Sequence, residues 1–546
     1  MFRIIAPVVA ALLGAATAAA PPQIQFEEIA AKANLRFELQ NGAAGGFHQI
    51  ELTLGGVAAI DYNNDGCTDV FFTNGAAIPS LKKTGPRYWN RLFKNNCDLT
   101  FTDVTTQAGL AGEGYSMAAA VADFDNDGAP DIFVAGVKGN TLYRNLGNGQ
   151  FADRTVPAGL ASKDPMWAVS AGWFDYDNDG WLDLFVSNYV AWDAAKEPRC
   201  GTPDRQYYCH PNAYKGLPNQ LFHNNHDGTF TDVSKASGIA AHIGKGMGVS
   251  FADIDGDGFT DIFVANDSVR GLLFRNLGNG KFEEIGLEAG VALTDDGRAI
   301  AGMGSDLRDI DNDGKPDLLV SGIINDSFLL FRNKGGNNGF EDMSQRTGLM
   351  MSTRQLTGWS LGVFDFDNDG WKDIFFALGH LMQLDRYLGR ESALPNRVYR
   401  NIEGGKLLGQ DLPSAASHRG TAFADFDNDG KLDVVVTAMN APAKLYRNIT
   451  DSKSHWLALR LKGTSSNRDG LGSVIHTHLA DGRDLYNIAT TTVGYASASE
   501  PLVRFGLADH DAADWIEVRW PSGIVQRLNN VKADRIVEVI EAGSKP

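Results

Sequence analysis

The chain runs to 546 residues, more than one ordinary hydrophobic core accommodates, so a large domain plus a smaller one is expected. Hydrophobic residues make up 43% and aromatic residues 10%, which places it with globular rather than disordered chains. A formal net charge of −18 argues against a nucleic-acid partner.

Residues 1–20 read as a secretory signal: Arg3, an apolar stretch from Ile4, then Ala18-Ala19-Ala20 before Pro21. The stretch is short and ends in small residues, which favours a cleaved signal over a membrane anchor. The first cysteine is Cys67, so a cysteine-anchored lipoprotein is not expected, and no later segment is apolar enough to span a bilayer. The expected location is therefore secreted or periplasmic.

The chain then repeats one nonapeptide seven times. Asp123-Phe-Asp-Asn-Asp-Gly-Ala-Pro-Asp131 shows the pattern: carboxylates at positions 1, 3, 5 and 9 and glycine at 6. Hard cations such as Ca2+ take six to eight oxygens, and a tight loop supplies them from these side chains and the position-7 carbonyl. Glycine permits the sharp turn. The candidate ligands of the first loop are Asp61, Asn63, Asp65 and Asp69, and of the second Asp123, Asp125, Asp127 and Asp131. Asp175, Asp177, Asp179 and Asp183 form the third set, and Asp253, Asp255, Asp257 and Asp261 the fourth. Asp309, Asp311, Asp313 and Asp317 follow, then Asp365, Asp367, Asp369 and Asp373, and finally Asp425, Asp427, Asp429 and Asp433. Aspartates this dense repel one another without a counter-ion. The loops hold 27 of the 67 acidic residues, and seven divalent ions would bring the net charge to about −4.

An EF-hand carries a bidentate Glu at position 12 on an exiting helix. Here position 12 is Phe72, Val134, Val186, Val264, Val320, Phe376 or Val436, each inside a short apolar run that reads as a strand. A calcium-sensor helix pair is thereby excluded. A small-residue strand such as Met117-Ala-Ala-Ala-Val precedes each loop, as suits a strand crowded around a central axis. A segment like Leu142-Tyr-Arg-Asn and then one like Phe151-Ala-Asp-Arg follow it.

Four short strands recurring seven times predict an all-β, seven-bladed β-propeller over residues 21–450. The last repeat lacks its final strand, whereas Phe26-Glu-Glu-Ile29 stands unpartnered at the start. This segment is predicted to complete the last blade and remove an exposed edge. An insertion at 189–218 carries Cys200 and Cys209 with Tyr207, Tyr208 and Tyr214. It reads either as a stapled loop or as the lid of a binding mouth. Four cysteines in an exported chain suggest two disulfides, Cys200–Cys209 and Cys67–Cys97.

From residue 454 to 546 the pattern changes to alternating strands such as His455-Trp-Leu-Ala-Leu-Arg-Leu and Trp515-Ile-Glu-Val-Arg-Trp, predicting a small antiparallel, sandwich-like β domain. Together with Asn467-Arg-Asp-Gly-Leu-Gly, Phe505-Gly-Leu and Val518-Arg-Trp-Pro-Ser-Gly, the chain resembles the cartilage acidic protein family. Its members join an integrin-α-like propeller of FG-GAP/VCBS repeats to a C-terminal ASPIC/UnbV domain. The resemblance implies an exported calcium-binding protein of adhesive type and no settled enzymatic activity.

Other candidate chemistry is thinner. His380 follows the sixth loop strand and His418 precedes the seventh inner strand, positions compatible with one mouth of the central channel, and both are read as ordinary hydrogen-bonding residues. His476 and His478 share a strand face without an evident third metal ligand, and Arg468 and Asp469 read as turn formers. No nucleophile elbow, phosphate-binding glycine loop or zinc-protease motif occurs. The expected function is a non-enzymatic, Ca2+-stabilised module that binds an extracellular protein or glycan, with up to seven ions. The alternative is a carbohydrate-active or redox enzyme using the propeller mouth. Asn266, Asn325 and Asn448 are possible glycosylation sites in a host that uses them.

Overall fold

The computed structural model describes residues 23–543 apart from 162, 163, 165 and 383–390, so the predicted signal segment lies outside the described residues. Each repeat folds as one four-stranded antiparallel sheet. In the second repeat the order from inside outwards is Tyr115–Ala122, Asp131–Val137, Thr141–Asn145 and Phe151–Asp153. Among the described residues there are seven such sheets. Their inner strands, Val57–Ile60, Tyr115–Ala122, Ala168–Phe174, Gly246–Ala252, Ser305–Arg308, Gly358–Phe364 and His418–Ala424, stand side by side in that order. The last packs against the first, so the array closes as a propeller. In every sheet the second strand begins at position 9 of its acidic loop, as at Asp69–Phe72 and Asp433–Ala438.

Closure is stitched by the start of the chain. Phe26–Glu28 pairs antiparallel with Ala441–Asn448, Phe26 opposite Asn448, and supplies the outer strand of the seventh sheet. Both predicted disulfides form: Cys67–Cys97 within the first repeat and Cys200–Cys209 within the insertion.

The C-terminal part departs from a purely antiparallel arrangement. Asp484–Ile488, Val474–His478, Ala512–Arg519 and Val525–Lys532 form one antiparallel sheet. In the second sheet His455–Lys462 lies between Val503–Ala508 and Arg535–Ile540, and its pairing with Arg535–Ile540 is parallel. A parallel pair needs a long crossover, and here residues 463–534 supply it, carrying the whole first sheet together with Val503–Ala508. Leu457, Leu459, Ile475, Ile516, Val518 and Trp520 fill the space between the two sheets.

Between those sheets the chain enters the propeller. Thr491–Glu500 is buried at every position and runs along the central channel. Ala498 exchanges backbone bonds with the first inner strand (Ala498 N to Val57 O and Ala59 N to Ala498 O, both 3.0 Å), and Ala119 N of the second donates to Ala496 O at 3.2 Å. Ala496 N donates to Ser170 Oγ at 3.1 Å and Tyr495 N to Ser360 Oγ at 3.1 Å. Gly494 and Ser305 exchange two backbone bonds, and Glu500 N reaches Phe423 O. The fourth inner strand packs Gly248 directly under Gly494. All seven blades thus hold one strand of C-terminal chain, which explains their small inner residues: a Cβ at Gly172 would lie 2.5 Å from Thr492 Oγ1.

Candidate functional site

The seven acidic loops share one geometry. In the second, Asp123 accepts the N–H groups of Asp127 (3.0 Å) and Gly128 (2.6 Å), and Asp127 accepts that of Ala129 (2.9 Å). Asp131 accepts Phe124 N at 3.2 Å and Asn145 N at 2.7 Å, pinning the loop to the neighbouring strand. Arg144 spans Asp125 Oδ2 (2.5 Å) and Asp127 Oδ2 (3.0 Å) from outside. Arg332, Arg400 and Arg447 do the same in their own repeats, bridging Asp311 to Asp313, Asp367 to Asp369 and Asp427 to Asp429.

One oxygen per loop is left over. The Oδ1 atoms of Asn63, Asp125, Asp177, Asp255, Asp311, Asp367 and Asp427, the position-3 residue of every loop, are buried without a hydrogen-bond partner. A buried acceptor left unpaired costs about 1–3 kcal/mol, and seven at one repeat position describe a shared vector rather than accident. Ligand atoms of Asp123, Asp125 and Asp127, and of Asp175, Asp177 and Asp179, lie within 4.8 Å of one another. Burial pushes these carboxyls upward: Asp69 to about 8, Asp123, Asp183 and Asp425 to about 7, and Asp369 to about 6. The donor set, all oxygens and nearly all carboxyl groups, fits a hard divalent cation.

Two sets of asparagines, which sequence reasoning left without a role, tie the loops into a ring. The Asn that ends each third-strand segment donates to the position-2 carbonyl of the preceding loop. Asn145 reaches Tyr62 O, Asn224 Phe124 O, Asn276 Tyr176 O, Asn333 Ile254 O, Asn401 Ile310 O and Asn448 Phe366 O. Asn95 closes the circle on Phe426 O at 2.8 Å. Six loops also place Asn at position 4 in the left-handed region, and each donates to the position-6 carbonyl of the next loop, as Asn64 does to Gly128 O and Asn428 to Gly66 O. Gly256 occupies that position in the fourth loop and has no side-chain amide to give. The signal was visible as one invariant Asn per repeat. An Asn95→Ala variant strands the buried Phe426 carbonyl at the closure and should cost about 2–3 kcal/mol, measured by urea denaturation at saturating calcium.

The C-terminal domain caps the loop face. Asp469 accepts Asp123 N at 2.8 Å, Arg468 N donates to Asn126 Oδ1 at 2.9 Å, and Arg504 Nη1 lies 3.3 Å from Asp425 Oδ2. Arg468 and Asp469 thus do more than turn the chain: they hold the second loop. His476 and His478 both bond Asp484 Oδ1, at 2.7 and 2.8 Å, and stack on Tyr486 and Trp515 respectively.

A cavity of about 420 Å3 opens at the opposite mouth. The stapled insertion brings Tyr207, Tyr208 and His210 to it, and Gln49, Thr53, Tyr189, Asp267 and Trp359 complete its polar and aromatic wall. Tyr189 Oη donates to Asp267 at 2.5 Å and Tyr208 Oη to Glu51 at 2.6 Å.

Two sequence families match along this framework. The FG-GAP-like repeat profile matches at 61–134, 123–186, 211–264, 253–320 and 309–376, together more than half of the chain, and the ASPIC and UnbV profile matches at 463–546. The chain belongs to the FG-GAP repeat proteins. Within that family it is similar to cartilage acidic protein 1 of Mus musculus, 26% identical over 517 residues, covering 89% of this chain and 73% of the relative. The Homo sapiens protein of the same name is also 26% identical, over 89% of this chain and 71% of its own length. A solved lectin of Agrocybe aegerita aligns with TM-score 0.38 at 16% identity, over 66% of this chain and 88% of that one.

Several residues of this FG-GAP chain resolve into structural roles. His380 Nδ1 lies 2.9 Å from Thr357 Oγ1, and His418 Nδ1 3.0 Å from Leu378 O, in keeping with hydrogen bonding rather than chemistry. Asn266 and Asn448 are buried in hydrogen bonds, which leaves Asn325 the exposed sequon. Among the described residues no helix is long and apolar enough to cross a membrane.

Burial holds the His418 imidazole down at about 3, against an ordinary 6.5. The unfolded chain takes up the proton first, so this contribution is complete above pH 6.5 and is lost as pH falls toward 3. His418→Gln should lose about 2–3 kcal/mol less than the parent between pH 6.5 and 4.5, read from urea midpoints at each pH.

Proposed function

We propose that this protein is an exported, non-enzymatic binding module whose propeller is stabilised by Ca2+ in the seven acidic loops. The position-3 oxygen without a partner in every loop carries this reading. Positions 1, 3, 5 and 9 would hold the ion with the position-7 carbonyl, and the ion would supply the positive charge that the clustered carboxylates lack. The two disulfides and the predicted signal support an oxidising, calcium-rich compartment. A glycan or protein partner is then presented with a rigid face by a scaffold whose loops are locked together.

Calorimetric titration of chelator-stripped protein tests the reading, with saturation near seven ions expected and no uptake overturning it. Asp427→Ala should remove one ion and weaken the seventh sheet, leaving the other sites filled. The first loop carries Asn63 where the others carry aspartate, so it should bind last; filling first would contradict the charge argument.

An enzymatic reading draws on the tyrosines, His210 and Asp267 gathered at the mouth. Among the described lining residues Asp267 is the one carboxylate, which is half of the pair that glycoside cleavage uses. The mouth is better furnished for holding a ligand than for cutting one.

A further inference from the structure

The mouth cavity is built, not left over. Cys200–Cys209 staples the insertion that forms one wall, and Tyr208 is fixed by its bond to Glu51. Trp359 lies over the Arg419 guanidinium, 3.9 Å from ring centroid to Cζ, so the opposite wall is braced from behind. Two buried polar side chains among the residues lining this space have unmet capacity. Gln49 is 3% exposed and uses its amide nitrogen toward Tyr189 Oη, which leaves Oε1 without a partner. Thr53 is 3% exposed, and its Oγ1 has no partner either. Asp267 faces the same cavity already holding the Tyr189 and Ser268 hydroxyls.

The wall therefore offers acceptors beside flat aromatic faces. Its ligand must bring hydroxyl donors on one edge and an apolar C–H face on the other, which is the surface of a pyranose ring. The cavity is too small to admit a folded partner and has room for a terminal sugar residue and part of the next. Charge narrows the class. Asp267 lines the cavity beside His210 and Glu51 stands behind Tyr208, whereas Arg419 is fully buried against Trp359 with its Nε on the Leu52 carbonyl, one Nη on the His418 carbonyl and the other Nη without a partner. An anionic sugar would meet the Asp267 carboxylate at the wall, in a chain that carries −18 overall.

We propose that this cavity is a saccharide-binding site selective for neutral glycosyl residues, with Gln49, Thr53 and Asp267 taking the hydroxyls and Tyr207 and Tyr208 the ring face. The proposal rests on the binding-module reading and names its ligand class. The full chain, at saturating calcium, is titrated with methyl glycosides of glucose, galactose, mannose and N-acetylglucosamine and with their disaccharides, alongside glucuronic acid and a sulfated disaccharide. Tryptophan fluorescence and calorimetry are the readouts. Saturable binding of at least one neutral probe is expected, with the anionic probes at least tenfold weaker. Thr53→Val and Gln49→Met remove polar atoms that make little or no contact in the free protein, so each should keep the parental melting temperature and weaken the neutral sugar about 5- to 10-fold. No saturable neutral probe, equal binding of the anionic ones, or unchanged affinity in both variants overturns the proposal. The calcium titration is run on the same preparation. Filled calcium sites with no sugar bound reject this site alone, and empty calcium sites with sugar bound reject the metal reading alone.

Discussion

Stripping calcium should lower the melting temperature by more than about 10 °C, and adding it back should restore the original value. A site filled at one hundred times its dissociation constant adds about 2.7 kcal/mol to the folded state, and on the proposed metal reading seven loops would each lose that term. The loops are also coupled. Each Asn between them hangs on a carbonyl of the neighbouring loop, so a loop that opens removes an acceptor from the next. The transition should therefore broaden as calcium is removed, because blades with different loops release at different points. Differential scanning calorimetry across a calcium series reads both effects. A curve that ignores chelation, in protein that carries no metal on elemental analysis, would end the metal reading. Magnesium should substitute poorly, since it demands near-ideal octahedral geometry and gives up its water reluctantly.

Gly494→Val should be the most damaging single substitution outside the loops. Gly494 sits at φ +74 in the middle of the buried channel segment, where a β-branched residue is strained. A Cβ there would come within 2.9 Å of Leu361 N and meet the Leu361 carbonyl and Ser360 Oγ as well. The neighbours are backbone on two sides, so they have nowhere to retreat, and the cost should be about 3 kcal/mol or more. The effect should reach beyond the C-terminal domain, because Gly494 bonds Ser305 and its neighbours bond five other blades. Gly482→Ala is the control: it has φ +90 but nothing within 4 Å, and should cost about 1 kcal/mol. Urea unfolding followed by tryptophan fluorescence separates the two. If the valine variant unfolds like the control, the channel segment is not the structural axis described above.

Much of the fold was legible because its causes are local. A D-x-D-x-D-G-x-x-D loop demands its glycine and its carboxylates at fixed steps, so seven copies announce seven hairpins wherever they lie. The completion of the last blade by Phe26–Glu28 was legible too, since an array that is one strand short at one end and one strand long at the other can balance only by closing. The cysteine pairings followed from proximity within single repeats. The asparagine ring was visible as a repeated residue, but its function was not, because each amide acts on a carbonyl roughly one repeat away. The parallel pair of His455–Lys462 with Arg535–Ile540 was likewise beyond a strand-by-strand reading, which has no access to which strands meet.

The sequence by itself determined the repeat, its acidic loops, the ring they imply and the two staples, since each depends on residues close together in the chain. Only the tertiary structure decided where Thr491–Glu500 goes and what lies at the far mouth. Those ten residues contain no motif of their own; alanine, serine and glycine are chosen there by the width of a channel made from seven other segments. The mouth cavity has the same origin, with walls drawn from positions as far apart as Gln49, Asp267 and Trp359. Packing between distant segments is set by the whole ring at once, and no short window of sequence records it.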